Sequence, residues 1–290
     1  MYRSIGLAVL LLTGCGSDVC GPQSVGDLVE LQRVERCRIV EGDLLIGAGY
    51  RDVLSLPNLV EVQGRLHASG MGVLDLPALE RIGTGLSRGD LRVGEVEGGV
   101  SAPLLRTIGR GHYANEAPVD AISDFGVSID AAATTSVTLP SLESTGWLAL
   151  DDVGLAPDLS STLAFGDVTL LGEQASELAF DPVYGDVIVS GTEGLVELEL
   201  GLDIATGTVS LSNNTDLRSV VVHSEGLQAL DVRNNPMLES ITLVGVASLA
   251  VLAVEDSPTD FVLSAAELAC AGSVRWTRNA GEQPLAECEP

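Results

Sequence analysis

An eight-residue pattern, identical at four of its positions, recurs in this chain at a fixed spacing, and that repetition limits the fold more than any other feature. Asn213-Asn214-Thr215-Asp216-Leu217-Arg218-Ser219-Val220 returns, position for position, as Asn234-Asn235-Pro236-Met237-Leu238-Glu239-Ser240-Ile241. The same offset carries Val209 and Leu211 onto Leu230 and Val232, and then onto Val251 and Ala253. Asn235 is followed at that interval by Asp256, another residue suited to a turn. Val189 and Leu195 precede Leu211 and Leu217 by an interval one position longer. A chain with this period stacks similar units, each burying against its neighbours what it cannot bury alone.

The units read as strands. Apolar residues alternate in Leu195-Val196-Glu197-Leu198-Glu199-Leu200 and in Val209-Ser210-Leu211, which points one side inward. Gly, Pro, Asn and Asp bound each unit and supply turn backbone angles, leaving little room for an amphipathic helix. Aligned Asn213 with Asn234, and Asn214 with Asn235, can form side-chain ladders like those of stacked strands. A related unit fills the N-terminal half. There Leu54-Ser55-Leu56-Pro57-Asn58-Leu59 returns, at a slightly shorter interval, as Leu74-Asp75-Leu76-Pro77-Ala78-Leu79. Fainter copies are Ala102-Pro103-Leu104-Leu105 and Thr138-Leu139-Pro140-Ser141-Leu142. Wider spacing over 84–136 predicts inserted loops. With 46% hydrophobic but only 3% aromatic residues, the core must be aliphatic.

The N-terminus addresses location. Arg3 and the apolar run Ile5–Leu12 are too short for a bilayer span of about 20 residues, and read as a signal peptide over 1–14. The run ends in Leu12-Thr13-Gly14-Cys15, which resembles the lipobox of bacterial lipoproteins. The resemblance implies cleavage before Cys15, a diacylglycerol on its sulfur and acylation of its amine. Two or more acyl chains give stable anchoring. Gly16 and Ser17 follow, and by the same resemblance the absence of Asp after the cysteine favours the outer membrane. Four further cysteines form two local pairs near the ends, Cys20 with Cys37 and Cys270 with Cys288. Three connectivities are possible in principle, but local disulfides fit an exported chain. A zinc site is disfavoured, since neither end offers a CxxC or a neighbouring His.

All 15 basic residues are Arg, and the net charge is −26. Between Arg110 and Arg218 lie 18 acidic residues and no basic one. Nucleic acid is an unsuitable partner, because phosphate binding needs a basic footprint. An acidic solvated face that keeps a surface protein soluble accounts for the charge, although cations would be attracted to it.

Cys37-Arg38-Ile39-Val40-Glu41-Gly42-Asp43-Leu44-Leu45-Ile46 resembles the opening coil of receptor L domains, in which a cysteine precedes an apolar-x-Gly-x-Leu-x-Ile stretch. The Leu54–Gly64 and Leu74–Gly83 units resemble later coils of that family, so the likeness covers about residues 37–110. It implies a right-handed, leucine-rich β-helix used for recognition, as in growth-factor-receptor ectodomains and fungal cell-wall proteins. It carries over no ligand-contact residue and speaks to fold more than function.

No catalytic constellation is convincing. Asp151-Asp152 and Asn214-Thr215-Asp216 resemble the acidic motifs of polygalacturonases, and paired carboxylates serve glycoside hydrolysis. Their order is reversed, however, and the Gly-His-Gly and Arg-x-Lys segments of that family are absent. His67, His112 and His223 are scattered without metal-ligand spacing and read as polar-face or loop residues. Trp147 and Trp276 suit sugar stacking but more simply pack. Neither an EF-hand nor a glycine-aspartate calcium repeat is present.

The sequence therefore predicts a mostly β, leucine-rich solenoid of receptor L-domain type with a disulfide cap at each end. Residues 15–36 form the anchor, tether and N-terminal cap, 37–269 the repeats and 270–290 the C-terminal cap. The expected role is a non-catalytic, cofactor-free binding or structural module in the cell envelope. Its expected partners are the membrane, through the lipid, and an envelope protein or polysaccharide. The alternative is a β-helical carbohydrate-active enzyme using the acidic central coils.

Overall fold

A computed structural model describes residues 18–25, 28–47, 53–84, 89–109, 125–131, 136–151, 163–164, 167–172, 177–202, 207–256, 262–265, 268, 270–277 and 286–287. It is a parallel β-solenoid. One face is a 12-stranded sheet running from Val19–Cys20 to Val262–Ala265, and the other is a 14-stranded sheet running from Gln23–Val25 to Ser273–Thr277. The chain alternates between the faces, so each strand pairs with strands about one coil away. Both sheets thus begin ahead of Cys37, and the 14-stranded one reaches past residue 269. The lone described helix, Leu28–Val34, packs beside the first coil.

The sequence period becomes strand register. Val209 pairs with Leu230 and Leu211 with Val232, at the offset of the repeated segment. The next offset departs from the expected one: Leu230 and Val232 pair with Leu252 and Val254 rather than with Val251 and Ala253, because the turn between them holds one residue more, as it does between Val187 and Val209. Val53 pairs with Val73, one position fewer. Inward positions form continuous aliphatic rows: Leu44, Leu66, Leu91, Leu148, Val168, Val187, Val209, Leu230 and Leu252 are all buried. The largest fully buried side chain is Phe180, and the rest of the described core is mainly Leu, Val and Ile with Met71 and a few alanines, as the aromatic-poor composition requires.

One turn recurs and links the two halves of the chain. Leu59, Leu79, Leu105 and Leu142 each donate their amide to the carbonyl three residues back, across Leu56-Pro57, Leu76-Pro77, Ala102-Pro103 and Leu139-Pro140. Proline at the second position of such a turn has its φ set in advance. Leu238 closes the same turn on Asn235, with Pro236 in the proline slot. The buried position held by Leu56 and Leu76 early in the chain is therefore held by Asn235 later, with no exposure.

The asparagines are tolerated there because they bond along the solenoid axis. Asn214 Oδ1 accepts from the Thr192 amide at 3.2 Å and from the Thr192 hydroxyl at 2.8 Å. Asn235 Oδ1 accepts from the Asn214 amide at 3.1 Å and from Asn214 Nδ2 at 3.0 Å. Asn214 Nδ2 also donates to the Val189 carbonyl, and Asn235 Nδ2 to those of Leu211 and Arg233. Beside this column an outer ladder joins Asn234 Nδ2 to Asn213 Oδ1 at 3.2 Å. Asn213, Asn234 and Asp256 share positive φ values of 58°, 52° and 54°, which Asn and Asp tolerate better than other side chains.

Regularity breaks where insertions were expected. The strand Gly89–Ser101 is 13 residues long, and register shifts occur between Met71 and Val73, where its partner strand faces it, and between Asp130 and Ala131; a further shift, between Phe180 and Val183, lies outside the expected stretch. Gly83 and Gly89 meet backbone to backbone, so that a Cβ on Gly89 would collide with the Gly83 main chain. Within 84–136, residues 85–88, 110–124 and 132–135 lie outside the described residues.

Cys20 and Cys37 form a disulfide across the first coil, with their Cα atoms 5.8 Å apart. Cys270 is also disulfide-bonded. Its expected partner Cys288 lies outside the described residues, although Ala271 pairs with Glu287 in a two-stranded sheet.

Candidate functional site

Outward positions on the 14-stranded sheet carry a group of interacting charged side chains. His67 pairs in register with Arg92, and Arg92 with Ser128. Two positions earlier on the same strands, Asp90 pairs with Gly126 and Gly126 with Trp147. Residues two apart on a strand share a face, so these side chains stand together outside the core.

Asp90 is the centre of the group. Its residue is only 4% exposed although it occupies an outward position. Arg92 Nε donates to its Oδ2 at 2.6 Å, and His67 Nε2 lies 2.9 Å from its Oδ1. Arg65 Nε stands 3.8 Å from the same oxygen. Three cationic or donor groups thus compensate a carboxylate shielded from water, which is the condition for burying such a charge. The Arg92 guanidinium carbon also lies 5.8 Å from the centroid of the Trp147 ring, within cation–π range.

A second buried carboxylate, Glu61, lies on the outward side of the 12-stranded sheet. Arg81 Nη2 donates to Oε2 at 2.8 Å and Thr84 Oγ1 to Oε1 at 2.6 Å. Burial alone would push its pKa up, but the hydrogen bonds from Thr84 and Arg81, the Arg81 charge and Gln63 outweigh it. The net direction is down from the ordinary value of 4.5.

The residues singled out in sequence are distributed as follows. Cys15 and the signal segment lie outside the described residues, as do Asp152 and His112. Asp151 ends the strand Trp147–Asp151. Asp216 sits on an exposed turn, where its Oδ2 accepts from the Gly194 amide at 3.0 Å. In register, Asp151 is followed by Leu171, Ser190 and Ser212. Asp216 is therefore three rungs along, about 14 Å, beyond the carboxylate separations of glycoside hydrolases. His67 and His223 occupy outward strand positions, as the polar-face reading expects. His223 pairs with Glu199 at 3.2 Å rather than with another histidine. Trp147 is half-buried on an outward position, so it is not core packing. Trp276 lies in the strand Ser273–Thr277, its side chain outside the described residues.

Asp90, Arg92 and Glu61 escaped the sequence reading. The available signal was Asp90-x-Arg92, the spacing of two residues on one strand face, but the partners His67 and Trp147 are remote in the chain on either side. Among the described residues no group of His, Cys, Asp or Glu is arranged to hold a metal ion, and no helix is long and apolar enough to cross a membrane. Comparison with family models, with curated proteins and with solved structures finds no match.

Proposed function

We propose that this chain is a lipid-anchored module of the bacterial cell envelope, held by acyl chains on Cys15 in the outer membrane. Its solenoid acts as a non-catalytic binding or structural surface, a right-handed β-helix of receptor L-domain type capped by Cys20–Cys37 and Cys270–Cys288. The observation that carries this reading is the Cys20–Cys37 disulfide in the first coil, since such bonds persist in oxidising compartments. It stands shortly after the lipobox cysteine. The parallel stack adds support, because coils of this kind present long repetitive faces suited to recognition.

The test is the anchor. With Cys15→Ala, acyl labelling and partitioning into the detergent phase should both be lost; unchanged partitioning would sink the reading. Turnover of a polysaccharide that disappears with Asp151→Asn or Asp216→Asn would replace it with the enzymatic one.

A further inference from the structure

We propose that the first coil is a docking face for an anionic phospholipid surface, on which the solenoid stands by its N-terminal end. The inference rests on the Cys15 anchor proposed above and names the surface that the anchored end touches.

The tether leaves the first coil little freedom. Only Gly16 and Ser17 separate Cys15 from Asp18, whose carbonyl accepts from the Arg38 and Ile39 amides, both at 2.8 Å. Three residue steps span at most about 11 Å, so acyl chains on Cys15 would hold this rung beside the headgroups. The Cys20–Cys37 disulfide ties the rest of the coil to the same point.

The side chains gathered there suit that surface. Arg33, Arg36 and Arg38 are exposed, and among the described residues none of the three has an ion-pair partner. Every other described arginine stands within 3.8 Å of a carboxylate oxygen. Among the described residues of 18–41 the exposed carboxylates are Asp18 and Glu41, while Glu30 and Glu35 are half-buried. Free guanidinium forks match lipid phosphates, and an anionic leaflet attracts cations lying within a Debye length of it. Exposed aliphatic side chains stand at the same end on three sides of the rod. Val19 lies on the first strand of the 12-stranded sheet, Leu45 one rung into the 14-stranded sheet, and Val53 on the side strand Val53–Ser55. Apolar groups beside arginines are the composition of segments that settle at a membrane interface. The body of the rod has the opposite character. Between Arg110 and Arg218 there are 18 acidic residues and no basic one, so an anionic surface repels those coils and the rod projects from it. On the 14-stranded path eleven intervals separate Gln23–Val25 from Ser273–Thr277, which sets the far end about 53 Å from the first rung.

The experiment adds the full chain, purified with its acyl groups, to preformed vesicles of phosphatidylcholine alone or mixed with phosphatidylglycerol. Arginine reactivity towards a dicarbonyl reagent is then read site by site by mass spectrometry. On the anionic vesicles Arg33, Arg36 and Arg38 should react about fivefold more slowly than on the neutral ones, and salt at about 1 M should abolish the difference. Arg218 and Arg275, on coils far from the anchor, should react alike on both. Equal reactivity of the three arginines on the two lipids, or protection that extends to Arg218 and Arg275, overturns the proposal. A chain that sediments with the vesicles while its arginines stay unprotected refutes the docking face alone. One that sediments with neither vesicle refutes the anchor and the docking face together, so the two failures are distinguishable.

Discussion

Replacing Asn214 with alanine should destabilise the central coils by about 2–4 kcal/mol. Asn214 is fully buried, and the substitution removes every bond its amide side chain makes. Two buried donors then lose their partner, the Thr192 amide and the Thr192 hydroxyl, and the Val189 carbonyl, which lies in the strand ladder, loses an additional donor. Each stranded group costs about 1–3 kcal/mol, and the hydroxyl can turn to recover part of its share. Asn235 Oδ1 keeps the Asn214 backbone amide, so the next coil is hurt less. Urea unfolding of the full chain gives the size of the loss, provided the slope is unchanged. Hydrogen exchange gives its place. Amides of Val187–Ser190 and Thr208–Ser212 should exchange faster while those of Ile39–Val40 and Arg81–Ile82 do not, because coils contact only their neighbours. A double-mutant cycle with Asn235→Ala should show coupling of about 0.5–3 kcal/mol. A loss below about 1 kcal/mol, or acceleration spread evenly along the rod, would refute the view that this column bears local stability.

Three further outcomes follow from single residues. Glu61, held below its ordinary pKa, contributes stability that is present above an unfolded value near 4.5 and fades as pH falls through the lowered folded value. Glu61→Gln should therefore flatten the acid limb of the stability curve below about pH 4.5, measured by melting across pH; an unaltered limb would exclude Glu61 as its source. Cys37→Ser opens a loop with a sequence separation of 17 and should cost about 3 kcal/mol under oxidising conditions, with reductant producing at least that loss in the parent chain, since it also opens the bond at Cys270. Indifference of the parent to reductant would contradict this. Gly89→Ala drives a methyl group into the Gly83 backbone, whose amide nitrogen would lie 2.9 Å away, and should abolish folding or lower the melting point steeply. A parent-like melting point would show that the two segments can separate without loss.

Where the coil length is constant, the fold was legible in the residues. Asn213 and Asn234 announce their pairing because one interval separates every partner in that stretch, and period-2 alternation tells inside from outside. Legibility ends where the offset changes. The interval from Arg92 to Ser128 is much longer than that from His67 to Arg92, so no fixed period connects rungs that lie side by side. The Asp90 cluster falls in that stretch. Its members also point outward, where packing imposes no pattern and each side chain is free to vary. Asn235 was read as a turn residue, and its burial in the slot of Leu56 and Leu76 appears only once the turns are superposed. An amide can enter such a site because a neighbour one coil away answers it, and a single unit in isolation cannot reveal that.

The asparagine column also bears on how such a chain can change its length. Thr192 meets Asn214 through the same backbone-amide contact by which Asn214 meets Asn235. Excising one whole repeat interval from that stretch would bring Thr192 to Asn235 with every inward and outward position preserved. Removing one residue fewer or more inside a strand would reverse the faces of the rest of that strand, whereas the turns absorb such a change, as the unequal intervals between paired coils show. Heredity can therefore lengthen or shorten this rod in whole coils, by duplication or loss of a complete unit, while smaller edits are confined to the segments between strands.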